Sequence, residues 1–96
     1  MAIDIIYVDD GKGVIMRMCD MVNGQQVIDA HYDVYKQHMQ KNQEYYIIDK
    51  SWCSEYDVGA KDIKTISRIY QKISEKNASL ILAVVESSML QFSLTE

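Results

Sequence analysis

Carboxylate and hydroxyl side chains follow two apolar runs of the sequence, residues 45–48 and 80–85. They are Asp49, Ser51, Glu55 and Asp57 after the first run, and Glu86, Ser87 and Ser88 after the second. Both runs have the composition of buried strands. Ligands in open α/β sheets bind at the carboxyl ends of parallel strands, and oxygen ligands suit a divalent cation. One hypothesis is therefore a ligand cleft formed by Asp49, Ser51, Glu86 and Ser87, although strand exits are ordinarily polar.

A more specific hypothesis is that Asp49 is a phosphoacceptor or the centre of a metal-dependent switch. Receiver domains of two-component systems carry an acidic pair after the first strand, an aspartate ending the third and a Ser or Thr after the fourth. Asp9 and Asp10, Asp49 and Ser87 occupy comparable places. The expected topology disagrees, because a receiver has a helix after its first strand, where this chain has the apolar stretch Val14 to Cys19.

Other catalytic arrangements lack support in the sequence. It contains no Gly-x-Ser-x-Gly elbow and no phosphate-binding loop. Cys19 and Cys53 have no metal-ligand spacing and are expected as free thiols. His31 and His38 lie seven residues apart on one predicted helix, about 10 Å along its axis, which favours histidines packed at the boundary of the core. The sequence therefore predicts no catalytic residue, cofactor or metal.

Composition narrows the class of protein. The 96 residues suffice for one domain, and 48% hydrophobic with 25% charged residues is typical of a globular protein. No apolar run reaches the roughly 18 residues that span a bilayer. The first ten residues are acidic where a signal peptide is basic, which favours a cytoplasmic location. The net charge of −4 argues against nucleic-acid binding.

Apolar periodicity predicts the elements that position these residues. Two strands joined by Asp9-Asp10-Gly11-Lys12-Gly13 should form an antiparallel hairpin, because the link is too short for a crossover. Later strands should be parallel, with right-handed helical crossovers. The fold class expected is α/β, a mixed four-stranded sheet with helices packed on it. The predicted strands are 3–8, 14–19, 45–48 and 80–85, the last an inner strand covered on both faces, and the predicted helices are 25–42, about 60–76, and a short one within 86–94.

Several local patterns carry a family resemblance. They are the Gly-x-Gly-Val-Ile turn at residues 11–15, Asn23-Gly24 before the first helix, Tyr-Tyr-Ile-Ile-Asp at 45–49, Glu-Tyr-Asp-Val before Ala-Lys-Asp-Ile at 55–63, and Leu-Ala-Val-Val at 82–85. With the order of elements, they resemble the SpoIIAA-like proteins, small bacterial domains of the STAS/SEC14 type. The resemblance covers nearly the whole chain and implies one SpoIIAA-like domain over residues 1–96. The family's pattern continues with further helical sequence, so it also implies a member that is short or truncated at its C-terminus.

The resemblance implies a regulatory protein-interaction module rather than an enzyme. In anti-sigma-factor antagonists of the STAS class, a serine at the start of the second helix, in an Asp-Ser-Ser-Gly type sequence, is phosphorylated to break a partner complex. The matching place here is Asp57-Val58-Gly59-Ala60. Because neither Val58 nor Gly59 has a hydroxyl, the phosphoserine switch is not carried over, and only a partner-binding surface is implied.

The predicted partner surface combines a polar loop with the second long helix. Its residues are Trp52, Glu55, Tyr56, Asp57, Lys61, Lys64 and Arg68. Tryptophan is enriched at binding hot spots, although a lone Trp in a loop can also fold back onto the core, and a basic row is also what a solvated helix face shows. Because SEC14-type relatives bind lipid, the alternative is that Trp52, Tyr56 and the basic row meet an anionic membrane. The sequence leaves open whether the edge at residues 3–8 pairs with a second copy.

Overall fold

An antiparallel hairpin and two helical crossovers make up the fold. The computed structural model describes residues 2–38 and 42–86, apart from the side chain of His38. Its elements are β1 (Ile3–Val8), β2 (Gly13–Asn23), α1 (Gly24–His38), β3 (Tyr45–Asp57), α2 (Ala60–Lys76) and β4 (Ile81–Val85).

The strands form one four-stranded sheet in the order β1-β2-β3-β4. β1 is antiparallel to β2, whereas β2–β3 and β3–β4 are parallel pairs. Since successive crossovers advance in one direction across the sheet and share one hand, α1 and α2 cover the same face. The predicted α/β fold with a mixed four-stranded sheet is thus confirmed. We call the other side of the sheet the open face.

The core lies between the sheet and the helices. Val14, Met16 and Met18 alternate along β2 and are fully buried, as is Tyr46 on β3. The apolar row predicted for α2 is buried at its C-terminal half, where Ile69 and Ile73 are covered, and is open at its start, where Ile63 is 53% exposed. Each fully buried aliphatic side chain contributes about 1.5 to 3 kcal/mol. The helix therefore holds the sheet mainly through its second half.

The hairpin turn requires left-handed backbone. Asp9, Asp10 and Gly11 have φ of 54°, 57° and 87°, a region that Gly and Asp tolerate better than other residues. Gly13 lies against Tyr45, because a Cβ there would be 2.2 Å from the tyrosine ring. The Gly-x-Gly pattern therefore closes the turn and lets β3 approach the hairpin.

Two of the predicted strands are longer in the structure. β2 continues to Asn23 rather than Cys19, and β3 continues to Asp57 rather than Ile48, because the extensions pair with each other. The pairing contains two register shifts, and such bulges disturb the alternation from which a strand is predicted. α1 ends at His38 rather than Asn42; residues 39–41 lie outside the described part, and Asn42 is not helical.

Within residues 2–38 and 42–86, β4 pairs only with β3 and is an edge strand, so the prediction of an inner strand covered on both faces is wrong for this part of the chain. All five of its residues are exposed, with Ile81 at 65% and Val84 at 49%. Each crossover adds its strand beyond the previous one, which leaves the last of these strands at the margin, past the cover of α2. The short helix predicted within 86–94 lies outside the described residues, apart from Glu86, which is in coil.

Candidate functional site

A two-stranded ribbon extends from one end of the sheet. β1 begins opposite Met18 of β2, and β4 ends opposite Asp49 of β3. Beyond these points the strand pairs of the described chain join residues 19–23 to residues 52–57, while the Cys19 N–H also donates to the Ala2 carbonyl at 2.8 Å. We call this pair of strands the ribbon. The predicted polar loop after residue 48 is therefore a strand, and it holds four of the seven predicted partner-binding residues on a hydrogen-bonded frame.

Trp52 is presented to solvent by the ribbon and is 70% exposed, so it does not fold back onto the core. It is in register with Cys19, and Met21 is in register with Glu55. Because residues in register share a face of the sheet, and Cys53 beside Trp52 is buried under the helices, Trp52 and Met21 lie on the open face. Met21 is 65% exposed. Two large apolar side chains are thus displayed on one surface.

Carboxylates surround this apolar pair. Glu55 is in register with Met21, Asp57 follows two residues later, and Asp20 precedes Met21; all three are exposed. Asp20 has a φ of 60° at one of the register shifts, a conformation that Asp adopts more readily than most residues. The ribbon therefore offers an apolar centre with an acidic margin.

Tyr56 lies on the helix side of the ribbon and is partly buried against the core. The ammonium of Lys50 sits 3.9 Å from the Tyr56 ring centroid and 3.5 Å from Glu86 Oε1. Burial is the main cause that raises the pKa of Tyr56. Lys50 is a residue that sequence reasoning missed, because nothing in the local pattern shows that β3 carries it to both partners. Tyr56 is thus a boundary residue rather than a displayed one.

Three of the four residues of the predicted ligand cleft lie in the described part of the chain, and they divide between two sets of partners. Asp49 accepts hydrogen bonds from the Ser51 backbone N–H at 3.0 Å and the Ser51 hydroxyl at 2.5 Å, and its other oxygen lies 3.6 Å from Arg17 Nε. These hydrogen bonds first, and the Arg17 charge after them, hold the pKa of Asp49 below its usual value. Glu86 instead pairs with Lys50, and Ser87 lies outside the described residues. Within residues 2–38 and 42–86, no three His, Cys, Asp or Glu side chains are grouped as a metal site would require.

The basic row of α2 forms a separate surface. Lys61, Lys64 and Arg68 are all exposed on the helix, which covers the face of the sheet opposite to the one that presents Trp52. The start of α2 is fixed by Asp62, whose carboxylate accepts a hydrogen bond from the Gly59 N–H at 3.2 Å. The structure therefore divides the predicted patch into an apolar and acidic ribbon and a basic helix surface.

Two candidate chemical groups are buried. The carbonyl of Val27 can only accept, so His31 donates from Nδ1 at 2.7 Å and accepts at Nε2 from the Tyr70 hydroxyl at 2.7 Å. His31 is 3% exposed, and burial lowers its pKa. Cys53 is also buried, and burial raises the pKa of its thiol. His31 therefore connects α1 to α2 through its hydrogen bonds, as expected for a boundary histidine. The side chains of His31 and Cys53 are both too buried to contact a substrate.

Comparison with known proteins shows a structural likeness for this chain but does not identify a family to which it belongs. No protein-family model matches the sequence, and no curated protein matches it. The chain is similar in structure to the protein described as "Crystal Structure Analysis of Mglu", with a TM-score of 0.53 and 9% sequence identity, over 86% of this chain and 19% of that one. At that identity the likeness shows the α/β fold alone, and this chain spans less than a fifth of that protein's length.

No helix within the described residues has both the length and the apolar character that a membrane crossing requires.

Proposed function

We propose that this protein is a non-enzymatic regulatory module of the STAS/SpoIIAA-like type that binds another protein through residues 51–68, with Trp52 as the main contact. The observation that carries the proposal is the 70% exposure of Trp52 on the ribbon, beside the exposed Met21. Tryptophan is among the residues most enriched at interface hot spots. An indole held on paired strands loses little conformational freedom on binding, because the backbone beneath it is already ordered.

The exposed indole offers a useful amount of binding energy. An aromatic side chain of roughly 200 Å² that is 70% exposed would remove about 140 Å² from water when covered, worth about 3 kcal/mol. The carboxylates of Asp20, Glu55 and Asp57 would favour a partner with a basic rim around an apolar pocket. This complementarity sets the kind of partner that the ribbon would accept.

The alternative function is binding to an anionic lipid surface. Ile63, which is 53% exposed near the start of α2, supports it, because an exposed apolar side chain on a helix that also carries exposed lysines suits a membrane interface. The carboxylates beside Trp52 oppose it for the ribbon, since anionic headgroups repel them. A phosphoacceptor or metal-dependent switch at Asp49 is the less favoured further alternative, because Arg17 and Ser51 already engage that carboxylate.

Affinity capture with three baits tests the proposal. The wild type, Trp52→Ala and a triple variant with glutamate at Lys61, Lys64 and Arg68 are used side by side on lysate of the source organism. All four positions are exposed, so circular dichroism should show intact folds. We expect a protein that the wild type recovers and Trp52→Ala loses, and the triple variant reports whether α2 also contributes. Identical recovery by all three baits would remove residues 51–68 from the interface.

The lipid alternative has its own measurement. Co-sedimentation with vesicles of 80% phosphatidylcholine and 20% phosphatidylserine at low salt, reversed by added salt, would support it. The triple glutamate variant should then stay in the supernatant, while Trp52→Ala should sediment as the wild type does. Absence of the wild type from the pellet at low salt would contradict the lipid alternative and would not affect the protein-binding proposal.

A further inference from the structure

A long depression lies on the opposite edge of the sheet from β4, between β1 and α1. Its first part, of about 240 Å³, is lined by Ile3 and Ile5 of β1 and by Asp29, Ala30 and Asp33 of α1. Its second part, of about 300 Å³, continues along Tyr7 and Val8 to Gln37 and the hairpin turn. We call the two parts together the trough.

The two parts of the trough lie between the same two walls. Ile3, Ile5 and Tyr7 are in register with Met18, Met16 and Val14, so all three side chains point to the helix side of the sheet. On α1 the wall consists of residues 26, 29, 30, 33 and 37, which, apart from the adjacent pair 29 and 30, recur three or four residues apart and share one helix face. Asp33 lines the first part and Tyr7 the second, and burial first, then the Asp33 charge, raises the pKa of Tyr7.

β1 forms one wall of the trough and is an edge strand. In the described part of the chain it pairs only with β2. An edge strand directs unpaired N–H and C=O groups outward along its length, here over the six residues Ile3–Val8, which is about 20 Å. A strand added at this edge would complete those hydrogen bonds and place every second side chain over the trough.

The trough is apolar at its floor and acidic at its rim. Ile3 is 8% exposed and Ile5 packs against the core, whereas Asp29 and Asp33 on the α1 wall are exposed. Asp9 and Asp10 add two further carboxylates at the turn. The ion pairs found in residues 2–38 and 42–86 join Arg17 to Asp49 and Lys50 to Glu86, so none of these four carboxylates is neutralised by a described lysine or arginine.

We propose that the trough binds an extended basic peptide segment of a partner protein, which adds as a strand to β1. On the side of the peptide that faces the trough, apolar side chains would cover the floor, and lysine or arginine side chains at other positions of that same side would reach the carboxylates of Asp29 and Asp33. This site is independent of the ribbon, because it lies on the helix side of the sheet at β1, whereas Trp52 is on the open face of the ribbon.

Fluorescence anisotropy with the full chain tests the proposal. The probe is a labelled seven-residue peptide in which valine and lysine alternate at the odd positions, which share one face of a strand, and serine fills the even positions. Its matched control replaces each lysine with glutamate. We expect the lysine peptide to bind and the glutamate peptide not to bind. The double variant Asp29→Asn/Asp33→Asn should weaken binding about twofold to thirtyfold, as the loss of two exposed charge pairs implies, while Trp52→Ala should leave it unchanged.

Amide chemical shifts locate the bound peptide. Titration with the lysine peptide should perturb residues 3–8 and the α1 wall and leave β4 unperturbed. Equal binding of the two peptides, or no effect of the double variant, would overturn the proposal. So would perturbations confined to β4, or a concentration-dependent dimer that excludes the peptide from β1. Because Trp52→Ala should bind the peptide as the wild type does, a failure of the ribbon proposal would not change the result of this test.

Discussion

Mild acidification should destabilise the wild-type protein, and replacing His31 with glutamine should remove most of this pH dependence. His31 is 3% exposed and makes two hydrogen bonds of 2.7 Å, to the Val27 carbonyl and the Tyr70 hydroxyl. It also meets the Tyr70 ring edge-on, with the ring centroids 5.0 Å apart. Because Nε2 accepts from Tyr70, the folded protein holds the neutral imidazole, and burial lowers its pKa.

The sign of the pH effect follows from this lowered pKa. In the unfolded chain His31 titrates near its ordinary value of about 6.5, so below that pH the unfolded state binds the extra proton. The contribution of the neutral His31 to the free energy of unfolding is therefore fully present well above a pH of about 6.5, and it decreases as the pH falls through and below that value. For one group, the loss between pH 7 and pH 5.5 is at most about 1.2 kcal/mol.

Urea unfolding followed by circular dichroism at several pH values from 5.5 to 7 measures this loss. The wild type should lose stability toward pH 5.5, and His31→Gln should give a nearly flat profile at lower overall stability. The chain has two histidines, so His38→Gln is the matched control and should keep the decline. A decline in His31→Gln as steep as that of the wild type would refute the assignment of a buried neutral imidazole.

Two further predictions concern packing. Gly24→Ala should destabilise the fold by about 0.5 to 2 kcal/mol, because its Cβ would displace the carboxylate of Asp62, which accepts the hydrogen bond of the Gly59 N–H at the start of α2. In an Asp62→Ala background thermal denaturation should show a smaller cost, and equal costs in both backgrounds would refute the close approach. Ile73→Ala, at a site that is 1% exposed, should cost about 2 to 5 kcal/mol. Ile81→Ala, at an exposed site on β4, should cost less than about 1 kcal/mol by the same measurement, and equal losses at the two sites would contradict an uncovered β4.

The predicted hairpin and the two crossovers rest on local signals that the structure confirms. Gly11 supplies a positive φ and Gly13 a close approach to Tyr45, and both are encoded as residue types that can be recognised without a structure. The change of period from two to about 3.6 residues near Ala60 likewise separates β3 from α2. Short-range stereochemistry and burial of one face decide these features, so the sequence alone displays them.

The ribbon was not predicted, because its strands depend on each other. Residues 19–23 and 52–57 mix polar and apolar side chains without regular alternation, and their two register shifts remove the alternation from which a strand is predicted. Each segment becomes a strand only when the other supplies its hydrogen-bond partners. The exposure of Trp52 follows from that pairing, which places Cys53 inward and the indole outward.

The division of the predicted sites has the same origin. The residues of the predicted partner surface lie close together in sequence, yet the sheet separates Trp52 from Lys61, Lys64 and Arg68 on α2. Asp49 lies within β3 and Glu86 follows the neighbouring β4, but each is engaged by a different cation, Arg17 and Lys50 respectively. Sequence neighbours share a surface only if the strand register directs them to it.

The sequence by itself determined the α/β class, the order of the elements, the antiparallel hairpin and the core positions of β2, of the start of β3 and of the second half of α2, because period, turn residues and connection length act locally. The tertiary structure alone decided which strand is an edge, which face stays open, where Trp52 points and that a trough runs along β1. These features depend on strand order and on pairing between residues distant in the chain, and a single sequence carries no local signal for either.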